Sequence, residues 1–109
     1  MRIQMVGRRQ VELTAALRTY VERRLGFALG RFGERIVRVT VRFWDVNGHR
    51  GGVDKRCQLD VAVRPSCKVV VEDTAVHFHA AFDRAAERAA RAIRRALERE
   101  RDWQQGSKS

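Results

Sequence analysis

The chain has 109 residues, 23 lysine and arginine side chains against 13 aspartates and glutamates, and a formal charge of +10. That length suits one domain with a single two-layer core and is too short for two independent cores. A basic excess of this size predicts a polyanionic partner. No apolar run reaches the 18 residues or more that a transmembrane helix needs, and the first ten residues, MRIQMVGRRQ, contain no apolar segment of signal-peptide length. The expected compartment is the cytoplasm, where Cys57 and Cys67 remain thiols. Of the basic residues 20 are arginine, a bias that GC-rich codon usage alone could produce. Codon usage does not sort charge onto one face, and that sorting is what the last helix displays.

In chain order, RIQMV at residues 2–6 alternates, with Ile3 and Met5 on one face, and predicts a short strand. Thr14 is placed to cap a helix that follows it. Leu17, Val21, Arg24 and Ala28 share one side of that helix, with Tyr20, Leu25 and Phe32 beside them. Gly26 and Gly30 weaken its last turns, so it should end near Arg31 to Gly33. RIVRVTVRFWD predicts the clearest strand, Val37, Val39, Val41 and Phe43 facing one way and Arg38, Thr40, Arg42 and Trp44 the other. Asn47-Gly48 and Gly51-Gly52 supply hairpin chemistry. In the next strand Lys55, Cys57, Leu59, Val61 and Val63 alternate with Asp54, Arg56, Gln58, Asp60 and Arg64. After a turn at Pro65-Ser66, CKVVVED predicts a fourth strand, and a helix is expected from about Val76 to Arg101.

The order is therefore β-α-β-β-β-α, an α+β class with a four-stranded sheet. The first helix must connect two parallel strands by a right-handed crossover. Strands two to four are apolar on one side only, so both helices should pack on that one face and leave the other open. Val39, Val41, Leu59, Val61, Phe82 and Ile93 are the expected core, with Arg38 and Arg42 exposed. Residues 1–103 read as one folded unit and 104–109 as a flexible polar tail.

The last helix carries the functional signal. At 100° per residue, Phe78, Phe82, Ala85, Ala89, Ile93 and Ala96 form a thin apolar stripe. Arg84, Arg88, Arg91, Arg95 and Arg99 fall together on the opposite side, and Asp83, Glu87 and Glu98 gather on one flank. Solvated i,i+4 pairs would account for scattered charge, but not for five arginines on one face. Arg18, Arg23, Arg24 and Arg31 add to the positive surface from the first helix. Guanidinium forks match phosphate geometry, and two basic helices side by side suit a folded RNA backbone. Single-strand binders use aromatic platforms, and most aromatics here are expected in the core.

Other chemistries find little support. His49, His77 and His79 with the two thiols lack the closely spaced ligand pairs of structural zinc sites, so no metal or other cofactor is expected. His77 and His79 read as capping or surface groups, and Cys57 as a core thiol. No nucleophile–base pair, carboxylate pair or phosphate loop is visible, which argues against an enzyme or a small-molecule substrate. Trp103 reads as a packing plug at the end of the last helix.

The element order, VELTAALRTYVERRL, GVDKRCQLDVAV, and VVVEDT leading into HAAFDRAAERAARAIRRALER together resemble the ribosome hibernation-promoting factors in their short form. These are also called ribosome-associated inhibitor A proteins and were formerly described as sigma-54 modulators. The resemblance implies a fold like that of double-stranded-RNA-binding domains. It also implies binding to 16S rRNA of the small ribosomal subunit at the decoding region, over the mRNA and tRNA sites. Arg88, Arg91, Arg95 and Arg99, with Arg18 and Arg24, match the family's recurrent basic positions, and Arg84 extends the same stripe. His77, Phe78 and His79 replace the usual start of the last helix, and Pro65-Ser66 the usual Pro-Gly-Gly turn. No C-terminal dimerisation domain is expected, and the free protein should be a monomer. The implied role is translation silencing on idle ribosomes in stress or stationary phase. A stand-alone binder of structured RNA, or a transcription modulator, is the alternative.

Overall fold

Strand β1 (Arg2–Gly7) leads to helix α1 (Ala15–Leu29), a 3-10 segment (Gly30–Arg35), the strands β2 (Ile36–Asp45), β3 (Lys55–Val63) and β4 (Cys67–Ala75), and helix α2 (Phe78–Gly106). The structure is a computed structural model that describes residues 1–9, 11–46 and 54–106, and side chains as far as Asp102. The anticipated Asn47-Gly48 and Gly51-Gly52 turn, His49, the Trp103 side chain and residues 107–109 lie outside that description. The order matches the expected β-α-β-β-β-α. The sheet order is β1-β2-β3-β4, with β1 parallel to β2 and the other pairs antiparallel.

One face of this sheet is dry. Val39, Val41 and Phe43 of β2 and Cys57, Leu59 and Val61 of β3 are completely buried. They meet Val21, Leu25 and Leu29 of α1 and Phe82, Ala85, Ala89 and Ile93 of α2 in a single cluster. Both helices therefore cover the same face, as the period-2 and period-3.6 patterns require. Ala81, Ala86 and Ala90 are buried too, so the apolar band of α2 is wider than the predicted stripe and also faces α1. These small side chains let α2 lie close to its neighbours, while Phe82 and Ile93 supply bulk worth about 1.5 to 3 kcal/mol each on burial.

Local chemistry explains the ends. The Thr14 hydroxyl accepts from the Leu17 backbone N–H at 3.1 Å and caps α1. After Leu29 the chain tightens into the 3-10 segment and turns at Gly33, whose φ of 58° lies in the left-handed region that glycine tolerates. Helix α2 continues beyond the predicted Arg101 to Gly106. The residues between contain no glycine or proline to stop it.

The strands differ from simple alternation in four places. Register shifts between Ile36 and Arg38, so a bulge turns Ile36 into the core and leaves Val37 more than a third exposed. Asp54 precedes β3 and is buried rather than on the open face. Arg64 belongs to the β3–β4 turn and not to that face. Arg42 is half-buried, not freely exposed: its guanidinium donates to Gln58 Oε1 at 3.2 Å and lies 3.8 Å from Asp60. Lys55 is on the helix side as expected, but its ammonium leaves the core to reach Asp45 at 2.7 Å and Asp54 at 3.2 Å. The hydrogen bond to Asp45 comes first among the causes that raise the Lys55 pKa above the ordinary lysine value.

Candidate nucleic-acid interface

Helix α2 buries its alanines and so presents its arginines outward. Arg84, Arg88, Arg91, Arg95 and Arg99 are all exposed. At a rise of 1.5 Å per residue the row spans about 22 Å. Four of its members line an open groove of about 400 Å³ between α2 and the edge strand β4, together with Val71, Asp73, Glu87 and Ala92. Arg88 lies 3.6 Å from Asp73 across this groove. The other four, Arg84, Arg91, Arg95 and Arg99, have no ion pair or side-chain hydrogen bond among the described residues. Their donors are free for an external anion, and a row this long suits a chain of phosphates better than one.

A second groove, about 590 Å³, separates α1 from α2 and is lined by Arg24, Phe27, Ala28, Arg31, Ala86, Glu87, Ala90 and Arg91. Its upper end is closed by polar contacts between the helices. The Tyr20 hydroxyl donates to the Asp83 carboxylate at 2.7 Å, and Arg24 Nε donates to the same group at 3.2 Å. The hydrogen bond to Asp83 favours the neutral phenol and raises the Tyr20 pKa above the usual tyrosine value. His79 packs edge-on against the Tyr20 ring, centroids 4.6 Å apart. At the other end of α2, Arg35 donates to Glu100 at 2.6 Å and ties the helix to the start of β2.

The arginines expected to act together are thus sorted further by the structure. Arg84, Arg88, Arg91 and Arg95 share the first groove, and Arg24, Arg31 and Arg91 the second. Arg18 and Arg23 are exposed on α1 but line neither, because they point about 120° and 100° away from Arg24 around the helix axis. Arg99 lines neither groove but continues the α2 row. Arg24 is not a free cation, since it is half-buried against Asp83.

The sequence reading missed Phe27. It placed most aromatics in the core, yet this ring is 85% exposed beside the inter-helix groove. The signal was present in the helical positions: Phe27 falls about 120° from Val21, off the buried line of Leu17, Val21 and Leu25. His77 and His79 are exposed, and among the described residues no group of three His, Cys, Asp or Glu side chains could hold a metal ion. Cys57 is buried, and desolvation pushes its thiol far above the ordinary range. Among the described residues no helix is long and apolar enough to cross a membrane.

Comparison with known proteins places this arrangement. No curated protein sequence matches the chain. Among solved structures, the N-terminal domain of protein Y from Thermus thermophilus is 29% identical, with a TM-score of 0.71, over 87% of this chain and 98% of that one. A ribosomal subunit interface protein from Coxiella burnetii has a TM-score of 0.74 at 19% identity, over 90% of this chain and 99% of that one, and so shares the fold. Residues 3–101 match the family described as sigma 54 modulation protein / S30EA ribosomal protein. With its sheet, its two helices and nearly all of its length in that match, the chain belongs to the sigma 54 modulation / S30EA ribosomal protein family.

Proposed function

We propose that the protein is a non-enzymatic, cytoplasmic hibernation factor that binds the small ribosomal subunit and silences translation. Its ribosome-binding domain is residues 1–103, and it acts as a monomer when free. Its target is 16S rRNA at the decoding region, where it blocks the sites of mRNA and tRNA in ribosomes idled by stress or stationary phase. The observation that carries this reading is the row of unpaired arginines, Arg84, Arg91, Arg95 and Arg99, along the outer face of α2. The row is built to lie along phosphates, which position a protein without reading sequence. Arg88, Arg24 and Arg31 extend the contact, and Arg18 and Arg23 contribute from a more distant part of α1.

The test is ribosome pelleting across a salt series, paired with cell-free translation. Each phosphate neutralised should steepen the fall of log K with log[salt] by roughly 0.7 to 0.9. Arg91→Ala and Arg95→Ala should each remove up to about one unit of that slope and weaken inhibition of translation. Variants that bind and inhibit like the parent would refute the α2 assignment. Absence of the protein from every ribosomal fraction of stationary-phase cells would favour a stand-alone RNA binder or a transcription modulator.

A further inference from the structure

The arginine row does not account for Phe27. Burial decides the positions of Leu17, Val21, Leu25 and Leu29 on α1, whereas Phe27 leaves a large apolar ring in water at 85% exposure. Its surroundings are specific. The inter-helix groove is lined by the apolar Phe27, Ala28, Ala86 and Ala90 and by the cations Arg24, Arg31 and Arg91, with Glu87 as the one carboxylate among the lining residues. Apolar side chains set among cations are complementary to a flat uncharged ring carried on an anionic chain. A groove meant for phosphate alone has no use for an exposed aromatic ring, and the groove beside β4 has none in its lining. Arg91 also lines the groove beside β4, so a backbone following the α2 row passes the mouth of this second groove.

We infer that the groove between α1 and α2 seats one unpaired RNA base against Phe27, with the flanking phosphates held by Arg31 and Arg91. Base–aromatic stacking tolerates any base because each has a π-face. Glu87 offers an acceptor to the amino group of adenine, cytosine or guanine. This deepens the RNA-binding reading above and rests on it. It adds a contact that phosphates cannot supply.

The experiment compares two probes at fixed salt, a pentaadenylate and a five-unit abasic ribose-phosphate of the same charge. The parent protein should bind pentaadenylate roughly 5- to 150-fold more tightly than the abasic chain, the range that one stacked base contributes. Phe27→Ala should reduce binding of pentaadenylate to near the abasic level without changing the salt slope, and Phe27→Trp should restore it. Equal binding of the two probes by the parent, or full discrimination by Phe27→Ala, would overturn the inference. So would light scattering that finds a dimer of the parent and a monomer of Phe27→Ala, since the ring would then serve a second copy of the chain. A parent that pellets with ribosomes through Arg91 and Arg95 but ignores the base refutes the pocket and leaves the ribosome reading standing. Loss of both refutes both.

Discussion

The two exposed faces of this molecule are both basic, and they differ in what the charges already touch. On the open face of the sheet, Asp60 sits between Arg42 at 3.8 Å and Lys68 at 3.4 Å, and Arg56 lies over the Trp44 ring at 5.6 Å. Arg2 and Arg38 at one end, and Arg8 and Arg9 beside the Trp44–Arg56 groove at the other, are exposed there without a partner among the described residues, but they form no continuous row. On the outer face of α2, by contrast, four arginines in one row have no partner among the described residues; Arg88 of that row meets Asp73, and Arg94 on its flank meets Glu98. Net charge attracts a polyanion to either face. Unspent donors in a row decide which face can hold it.

The comparison depends on α2 being held with its alanines inward, and the largest effect should come from breaking that. Ala89 is completely buried in the cluster shared by sheet and helices. Ala89→Arg puts a long charged side chain into space filled at interior density, combining overpacking with desolvation of an unpaired charge. The expected loss is more than about 3 kcal/mol, visible as a large drop in thermal midpoint. A variant as stable as the parent would mean that α2 lies on another face.

Next in size is binding. Arg91→Ala and Arg95→Ala together should weaken ribosome binding by roughly a hundredfold or more, since charge-assisted hydrogen bonds contribute about 1.5 to 3 kcal/mol each. Stability should stay within about 0.5 kcal/mol of the parent, as for other surface substitutions. That separation of binding from folding is what distinguishes an interface from a core.

Much of this geometry was legible in the sequence, for physical reasons that also mark the limits. The burial of Val39, Val41, Leu59, Val61, Phe82 and Ile93, and the one-sided covering of the sheet, follow from alternation and helical periodicity. Both are properties of residues within four positions of one another in the sequence. The bulge at Val37 is a property of pairing, because Ile36 and Arg38 shift against β3, and no pattern within one strand reveals it. Arg24 looked like a free cation because its partner, Asp83, is 59 positions away. Phe27 is an exception to the expectation that most aromatics lie in the core, and its position on the helix already separates it from the buried line. The candidate site was thus visible as a row of charges on α2, while its division into two grooves needed the packing of α1 beside it.

A smaller effect tests that packing. The Tyr20 hydroxyl and Arg24 both engage Asp83, and Tyr20→Phe removes one of these contacts from a partly exposed site. The expected cost is about 1 kcal/mol after allowance for solvent screening. The raised Tyr20 pKa means that the folded state holds its proton more tightly than the unfolded state. The contribution is therefore full below the usual tyrosine value of about 10 and is lost as pH rises above it. Denaturant midpoints of parent and Tyr20→Phe should differ by a constant amount at neutral pH and converge in alkali. A gap that persists there would mean that the hydroxyl stabilises the helix pair by some route other than its proton.

The smallest expected effect sharpens the comparison of faces most. Lys68 is 65% exposed and its ammonium lies 3.4 Å from Asp60, a surface pair of the kind that contributes at most about 1 kcal/mol. Lys68→Ala removes one positive charge from the protein, as Arg91→Ala does, so the two variants have the same net charge. If binding followed net charge alone, both would weaken ribosome pelleting equally. If it follows contacts, Lys68→Ala should leave the salt slope unchanged, because a cation that neutralises no phosphate releases no counterion on binding. Arg91→Ala should lower the slope by about 0.7 to 0.9 in the same series. Arg42→Ala, also on the sheet face, serves as a second control. A Lys68 or Arg42 variant that loses as much slope as Arg91→Ala would place RNA on the open sheet, and the unpaired row on α2 would then need a different partner.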